Sequence, residues 1–533
     1  MRYGKILVFL LFITSFVLSQ LDSPLLSVWP SVVALLSVLL LRKALPGLLI
    51  GAVCGVILIA EGNPIHSLFI FFYDVLSPAL SSSWNLSVLA FTLLLGGFSA
   101  LLEKGGGFEI ILKNWLSKTD NLSKKVEWSA FLLGIICFFD GLASSLLGGR
   151  AIRPLADKTG LSRAKLAYLV DSTGSAIACV AIMSTWIAYQ LSMIREGFLA
   201  VEIVHAEPFT LFLSSIPRNF YCWFTLILVV LTIRKSLNFK SMDKFEIKIP
   251  KNITENEVSD AKNHTKYTTG QSRVLIPMAT LISCLFIGLY FNGVQGTAWP
   301  VNFLKIKQAF GDAESNIVLL FSSILACIIA YLFNRNPISA SGLSPRKEFT
   351  KGIGRFITPS LVLIAAWFLS GTLRELGAAS FLSQALNGSL PPALFPVSVF
   401  LLGVLISFTT GTSWGTMGVL MPLTIPVCLS LAPDSNAMMA SAIAAVFSGA
   451  VFGDHCSPMS DTTIVSAVAC EISPYDHFRT QLPYALLAAS VAALAGFIPM
   501  GLGLSPWVCL LLGTLTLLCV PWFRDKFLAH WGK

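Results

Sequence analysis

Long apolar runs recur along the chain, with polar and charged residues gathered between them. Runs at 25–41, 274–291, 317–333, 486–502 and 507–523 are long enough to cross a bilayer as helices. The pattern predicts an all-α, polytopic membrane protein. Residues 66–82 read as either a span or an interfacial segment. At the start, Arg2 and Lys5 precede an apolar run to Leu18 and then Ser19-Gln20, which fits a cleaved signal or a short first span. Both begin on the cytoplasmic side.

Charge placement orients these elements. Lys and Arg cluster at 42–43, 104–125, 150–165, 234–273 and 335–355, which the positive-inside rule puts in the cytoplasm. Segments 61–84, 386–398, 431–438 and 501–506 lack Lys and Arg and read as outside, although Arg195, Arg218, Lys305, Lys307 and Arg374 fall on or near outer stretches. Basic clusters flank 126–150 on both sides, so a single crossing would put one of them outside. A hairpin that enters from the cytoplasm, turns near Asp140-Gly141 and returns keeps both inside. Residues 395–430 give the mirror case, running between two outer segments with Thr409 through Thr416 in the middle.

After each hairpin comes an apolar helix interrupted by a polar, acidic stretch, Asp171 through Ser175 in the first half and Asp454 through Thr463 in the second. The order predicts an inverted repeat with two re-entrant hairpins and two broken transmembrane helices, a plan that places substrate near the bilayer midplane. The expected organisation is N-terminal membrane helices at 1–84, a first repeat at 85–233, a cytoplasmic linker at 234–272, a second repeat at 273–482 and C-terminal membrane helices at 483–533.

Composition supports the bilayer as partner. The 533 residues are 55% hydrophobic and 12% charged, with a mean hydropathy of +0.76, which excludes a water-soluble globule. The net charge of +9 reads as cytoplasmic bias, with no nucleic acid implied. Eleven cysteines are scattered through apolar segments without a CxxC pair, so they read as small core residues and indicate neither disulfides nor zinc. The apolar flanks at 22–60 and 485–523 would suit a scaffold or the interface of a homo-oligomer.

The run Gly453 through Thr463 carries the strongest chemistry: two carboxylates, four hydroxyls and a proline within hydrocarbon sequence. An ionisable group at bilayer depth costs about 2.5–3.5 kcal/mol on insertion scales, so such groups mark transport sites. A proline there frees a backbone carbonyl, tolerable only where the chain lines a cavity or is buried in protein. Hard monovalent cations take carboxylate, hydroxyl and carbonyl oxygens, the set that Asp454, Ser457, Ser460, Asp461, Thr462 and Thr463 supply, with Asp140, Asp171, Ser172 and Thr173 as the counterpart. A carboxylate withdrawn from water favours its protonated form, while an adjacent cation favours the charged one. One Asp that holds a proton or a sodium ion, never both, is sufficient for exchange.

Other polar residues read as structural. Ser184, Thr185 and most of Thr409–Thr416 fit packing and back-bonding. Asp157 sits among Arg153, Lys158 and Arg163 as a charge partner, and Asp476 and His477 read as surface residues. His455 beside Cys456 has no second His or Cys at ligand spacing, so no metal or other cofactor is indicated.

Phe452 through Ile464 resembles the signature of the NhaC-type sodium/proton antiporters of the ion-transporter superfamily. In the first half Phe138-Phe139-Asp140, Arg153 through Asp157, Ser162 through Tyr168, Val170 through Thr173 and Ser184 through Ile187 follow the same family's pattern in order and spacing. The likeness spans roughly residues 85–490. It implies a multi-pass protein of the bacterial cytoplasmic membrane that exchanges sodium, or a similar monovalent cation, for protons. The chain departs from the family at Gly141, where a second acid often stands, at Ser144 in place of Asn, and at Gly174-Ser175-Ala176 in place of a small-small-Pro triplet.

The alternative is a sodium- and proton-coupled carrier of a small organic acid or amino acid on the same scaffold. An enzyme is not expected, since no Ser/His or paired-His motif falls in a span, and a passive channel would not need opposed hairpins.

Overall fold

The computed structural model describes residues 2–116, 122–204, 206–245, 270–386 and 390–531. The described residues form helices joined by short turns. Nine of these helices are long and apolar enough to cross a membrane, and two bent pairs raise this to eleven. All five apolar runs lie in helices, with only Leu502 falling just past a helix end. Pro64–Ser81 leaves Ala44–Ile59 at 116°, so it runs nearer across than along that helix. Most of the expected linker, at 246–269, lies outside the described residues.

Two hairpins and two interrupted helices form the centre. The first hairpin has an entering arm, Leu122–Ile136, and an exiting arm, Gly141–Thr159, packed on each other. Asp140 makes the turn: its backbone is extended, and its carboxylate takes the N–H groups of Leu142 and Ala143 at 3.0 and 3.3 Å, capping the exiting arm. Gly160, at φ +78°, ends that arm in the left-handed conformation that glycine adopts without steric cost.

The second hairpin repeats this form, with arms Phe395–Thr410 and Ser413–Leu431. Gly411 turns at φ +68°, and the Thr412 hydroxyl caps the returning arm at the N–H of Gly415, 3.2 Å away. The second broken helix runs Asn436–Cys456, crosses the gap 457–460 and resumes at Asp461–Ala469. Pro458 explains the gap. It has no N–H for the carbonyl of Asp454 and disfavours helical backbone at Ser457, which is extended at φ −99°, ψ 125°.

In the first half the interruption lies later than the sequence suggests. Asp171 through Ser175 sit inside a continuous helix, Arg163–Val180, and the break falls at 181–186 before Ile187–Leu199. Nothing at 171–175 forces a break: Ala176 stands where the resembling family has proline, and the Asp171 carboxylate finds its partners outside its own helix. At the actual break the Thr185 N–H donates to the carbonyl of Phe139 at 2.8 Å, tying it to the tip of the first hairpin. The Ser184 hydroxyl donates to the Ala178 carbonyl at 2.7 Å.

The halves interlock by exchange. The exiting arm of the first hairpin packs on Asp461–Ala469 of the second broken helix, and Ile187–Leu199 of the first packs on the returning arm of the second hairpin. Around this core, Ala44–Ile59 packs on Ile357–Glu375, and Pro506–Trp531 packs on Phe220–Lys235. Ser83–Lys104 lies against Ser315–Ala340 and Pro345–Arg355.

Candidate cation-binding site

The gap in the second broken helix is packed against the tip of the second hairpin. A Cβ on Gly411 would stand 2.9 Å from the Ser457 hydroxyl oxygen and 3.2 Å from the nitrogen of Ser460. A hairpin turn and a helix break therefore share one small volume deep in the fold.

Oxygen atoms converge there. The Asp454 carbonyl, orphaned by Pro458, accepts from the hydroxyls of Thr463 and Thr462 at 2.6 and 3.1 Å. The Thr462 and Ser460 hydroxyls are 2.9 Å apart, and Ser460 donates to Asp454 Oδ1 at 3.4 Å. Asp454 is 3% exposed, and its Oδ2 is buried without a close hydrogen-bond partner among the described residues, the Ser413 hydroxyl at the start of the returning arm standing nearest as a donor. Ser457 is fully buried beside Gly411.

Asp461 stands apart from this set. It occupies the first turn of Asp461–Ala469, is exposed on the same face as Ile464 and Val468, and carries no side-chain hydrogen bond among the described residues.

The first-half residues divide. Asp140 is buried and spent on capping, with the Ser99 hydroxyl on its Oδ2 at 2.9 Å. Thr173 donates back to the Leu169 carbonyl, and its methyl side faces Gly134. Ser172 is buried in the same helix. Asp171 is the one brought to the second half, within electrostatic reach of Asp454. Its carboxylate, fully buried, meets Ser466 Oγ at 3.0 Å, Gln481 Nε2 at 2.8 Å and His477 Nε2 at 3.2 Å.

His477 thus corrects the surface reading: it is wholly buried against Asp171. The signal was present in the spacing, since His477 and Gln481 lie four apart and share one face of Pro474–Val491. Asp157 does pair with Arg163, at 3.0 Å. His455 accepts or donates at Nδ1 with the Tyr221 hydroxyl, 2.9 Å away, and its ring lies within reach of the Asp171 backbone.

The family described as "Na+/H+ antiporter family" matches residues 177–502. An uncharacterised protein of Haemophilus influenzae is 30% identical over 483 residues, covering 89% of this chain and 91% of that protein. The malate-2H+/Na+-lactate antiporter of Bacillus subtilis is 27% identical over 144 residues, 27% of this chain and 30% of that one. Among solved structures, MtrF of Neisseria gonorrhoeae, described within a class of antimetabolite efflux pumps, superposes with a TM-score of 0.54 at 12% identity, over 84% of this chain and 85% of MtrF. That likeness concerns the fold alone, an all-helical architecture. The family match covers the second hairpin and the second interrupted helix and identifies a secondary antiporter of the bacterial cytoplasmic membrane, and the chain belongs to the Na+/H+ antiporter family, of the NhaC type that its motifs resemble.

Proposed function

We propose that this antiporter exchanges sodium, or a similar monovalent cation, for protons, with Asp454 at the centre of the cation site. One observation carries the reading. The buried Asp454 residue gathers hydroxyls from Ser460 at its Oδ1 and from Thr462 and Thr463 at its carbonyl, and its Oδ2 is buried without a close partner among the described residues, at a helix break closed by a hairpin tip. Neutral oxygens and one carboxylate suit a hard monovalent ion. Sodium at Oδ2 and a proton on the same carboxylate exclude each other, so each load resets the site for the other. Ser457 borders the ion beside Gly411, Asp461 guards the exposed approach, and Asp171, with Ser172 and Thr173 behind it, supplies the facing charge. Asp140 holds the first hairpin's tip.

A second reading has its own support. A cavity of about 440 Å³, a size that suits small organic ligands, lies beside the first hairpin and is lined by Lys104, Arg150 and Arg273, by the carboxylates Glu103 and Glu109, and by apolar Phe108, Leu133 and Leu147. Glu103 pairs with Lys104, which leaves Arg150 and Arg273 as the basic groups for a small carboxylate, the substrate class named for the Bacillus relative.

Proteoliposomes loaded with a pH-sensitive dye test both. Sodium added to one side is expected to move protons, and Asp454→Asn to abolish the movement. Proton movement that requires malate, lactate or an amino acid would establish the carrier reading instead. Full exchange by Asp454→Asn would remove Asp454 from the mechanism.

A further inference from the structure

Between Ala44–Ile59 and Ser83–Lys104 runs a helix that the cation site does not use. Asn63 opens Pro64–Ser81, its side-chain oxygen accepting from the N–H groups of Ile65 and His66 at 3.0 and 3.1 Å, and the helix leaves Ala44–Ile59 at 116°. Basic residues at 42–43 and from 104 onward put the far ends of both flanking helices in the cytoplasm. Ala44–Ile59 and Ser83–Lys104 supply the two crossings that this requires. Pro64–Ser81 is therefore not a third crossing but runs along the outer side.

The sides of this helix differ in chemistry. Ile70, Val75 and Ala79 are buried against the protein, and the Phe71 ring meets that of Phe368, on Ile357–Glu375, edge to face at 5.5 Å. His66 and Asp74 are exposed and make a polar edge. Ile65, Leu68, Phe69, Phe72 and Tyr73 recur at steps of three and four, which puts them on one face, and each is between 53% and 69% exposed. Apolar residues so displayed on a helix need a cover.

The span before it says what that cover is. Ala44–Ile59 has 16 residues and rises about 24 Å, short of the ~30 Å hydrocarbon core. Starting from the basic pair at the cytoplasmic boundary, the chain turns aside roughly 6 Å before it would leave the hydrocarbon on the outer side. Helices that lie in the interface sink their apolar face by about 5–10 Å, which is the same depth.

We propose that Pro64–Ser81 is an interfacial helix whose stripe of Ile65, Leu68, Phe69, Phe72 and Tyr73 is sunk among the acyl chains of the outer leaflet. His66 and Asp74 face the headgroups and water. The partner of this surface is lipid, and the contact sets the depth at which Ala44–Ile59 stands in the bilayer. The inference is independent of which solute the protein exchanges.

Nitroxide labels on the full chain in nanodiscs of phosphatidylethanolamine and phosphatidylglycerol test it, with Cys284→Ser and Cys519→Ser removing the cysteines that are not buried. A label on Phe69→Cys is expected to collide severalfold more with oxygen, which concentrates in acyl chains, than with a water-soluble nickel chelate. A label on Asp74→Cys is expected to show the reverse preference. Leu68→Cys repeats the first measurement should Phe69→Cys fold poorly. Preference for nickel at both positions puts the stripe in water and overturns the proposal. Preference for oxygen at both places the whole helix in hydrocarbon and overturns it as well. A Phe69 label shielded from both reagents also overturns it, and spin–spin broadening that disappears on dilution with unlabelled protein would then identify a second copy of the chain as the cover.

Discussion

Lys165 Nζ lies 3.0 Å from Glu127 Oε1, with both side chains almost wholly buried, so an ion pair pins the first interrupted helix to the entering arm of the first hairpin. Removing one partner of such a pair leaves the other charge without its counter-ion, at a cost of about 3–5 kcal/mol, whereas replacing both with apolar residues of similar size is often close to neutral. Lys165→Met and Glu127→Gln are each expected to lower the thermal unfolding midpoint of the purified protein sharply. The double variant Lys165→Met/Glu127→Leu should recover most of the loss. Equal damage in the single and double variants would show that the pair acts through something other than charge.

The charges at the other junction predict the reverse behaviour. Arg153 and Arg163 reach Glu471 at 2.8 and 3.1 Å, linking the first hairpin and first interrupted helix to the end of Asp461–Ala469. These groups are one-quarter to one-half exposed, and pairs of that kind contribute about 0–1 kcal/mol. Glu471→Gln should therefore shift the unfolding midpoint by a degree or two at most, on the order expected for such pairs, and the shift should shrink further in high salt. A loss as large as that of Glu127→Gln would contradict this assignment.

Close backbone packing holds the cation site to its hairpin. A Cβ on Gly453, beside Asp454, would stand 2.4 Å from the Ser407 carbonyl oxygen on the entering arm, and one on Gly449 2.8 Å from the Phe400 carbonyl oxygen. The Ser407 hydroxyl also donates to the Gly449 carbonyl at 2.6 Å. Because the atoms approached are main chain, Gly453→Ala must push the arm away, at roughly 1–3 kcal/mol. The same shift moves Asp454 relative to Gly411, so the sodium concentration for half-maximal exchange should rise severalfold. Sodium titration of dye-loaded proteoliposomes reads this directly.

Much of the architecture was legible because membrane proteins write it in two simple alphabets. Basic residues flanking 126–150 on both sides left a hairpin as the economical solution, and Pro458 marked the second break. The second-half oxygens likewise followed from the hydroxyls around Asp454. What escaped depends on tertiary contact. Asp171 through Ser175 looks like a break because polar residues in a span usually need one, yet Ser466, His477 and Gln481 satisfy Asp171 from the other half while its helix continues. His477 looked exposed because it follows Glu471, Pro474 and Asp476. Burial over one turn of an amphipathic helix start depends on which neighbour covers it. Asp461 shows the same dependence: the first turn of its helix leaves its side chain exposed, beside the Asp454 cluster and within its electrostatic reach.

Gly141 gives the last prediction, because it stands where the resembling family often has a second acid. Its position is closed by a helix crossing: a Cβ there would lie 3.3 Å from the Gly174 carbonyl oxygen and 3.4 Å from Ala178 Cβ, and a Cβ on Gly174 would lie 3.1 Å from the Gly141 carbonyl oxygen. Gly141→Ala asks the crossing to yield by a few tenths of an ångström and should cost within about 1 kcal/mol. Gly141→Asn adds a polar amide beside backbone already engaged in a helix, and Gly141→Asp adds a buried charge, whose cost is about 3–5 kcal/mol where it goes unpaired. The unfolding midpoints should therefore fall in the order Gly141→Ala, Gly141→Asn, Gly141→Asp. The gap between the last two isolates charge from volume. If Gly141→Asp is as stable as Gly141→Asn, and sodium stabilises it more than it stabilises the unaltered protein, the first hairpin retains room for a second cation-bearing acid, and the closed crossing is not what excludes one.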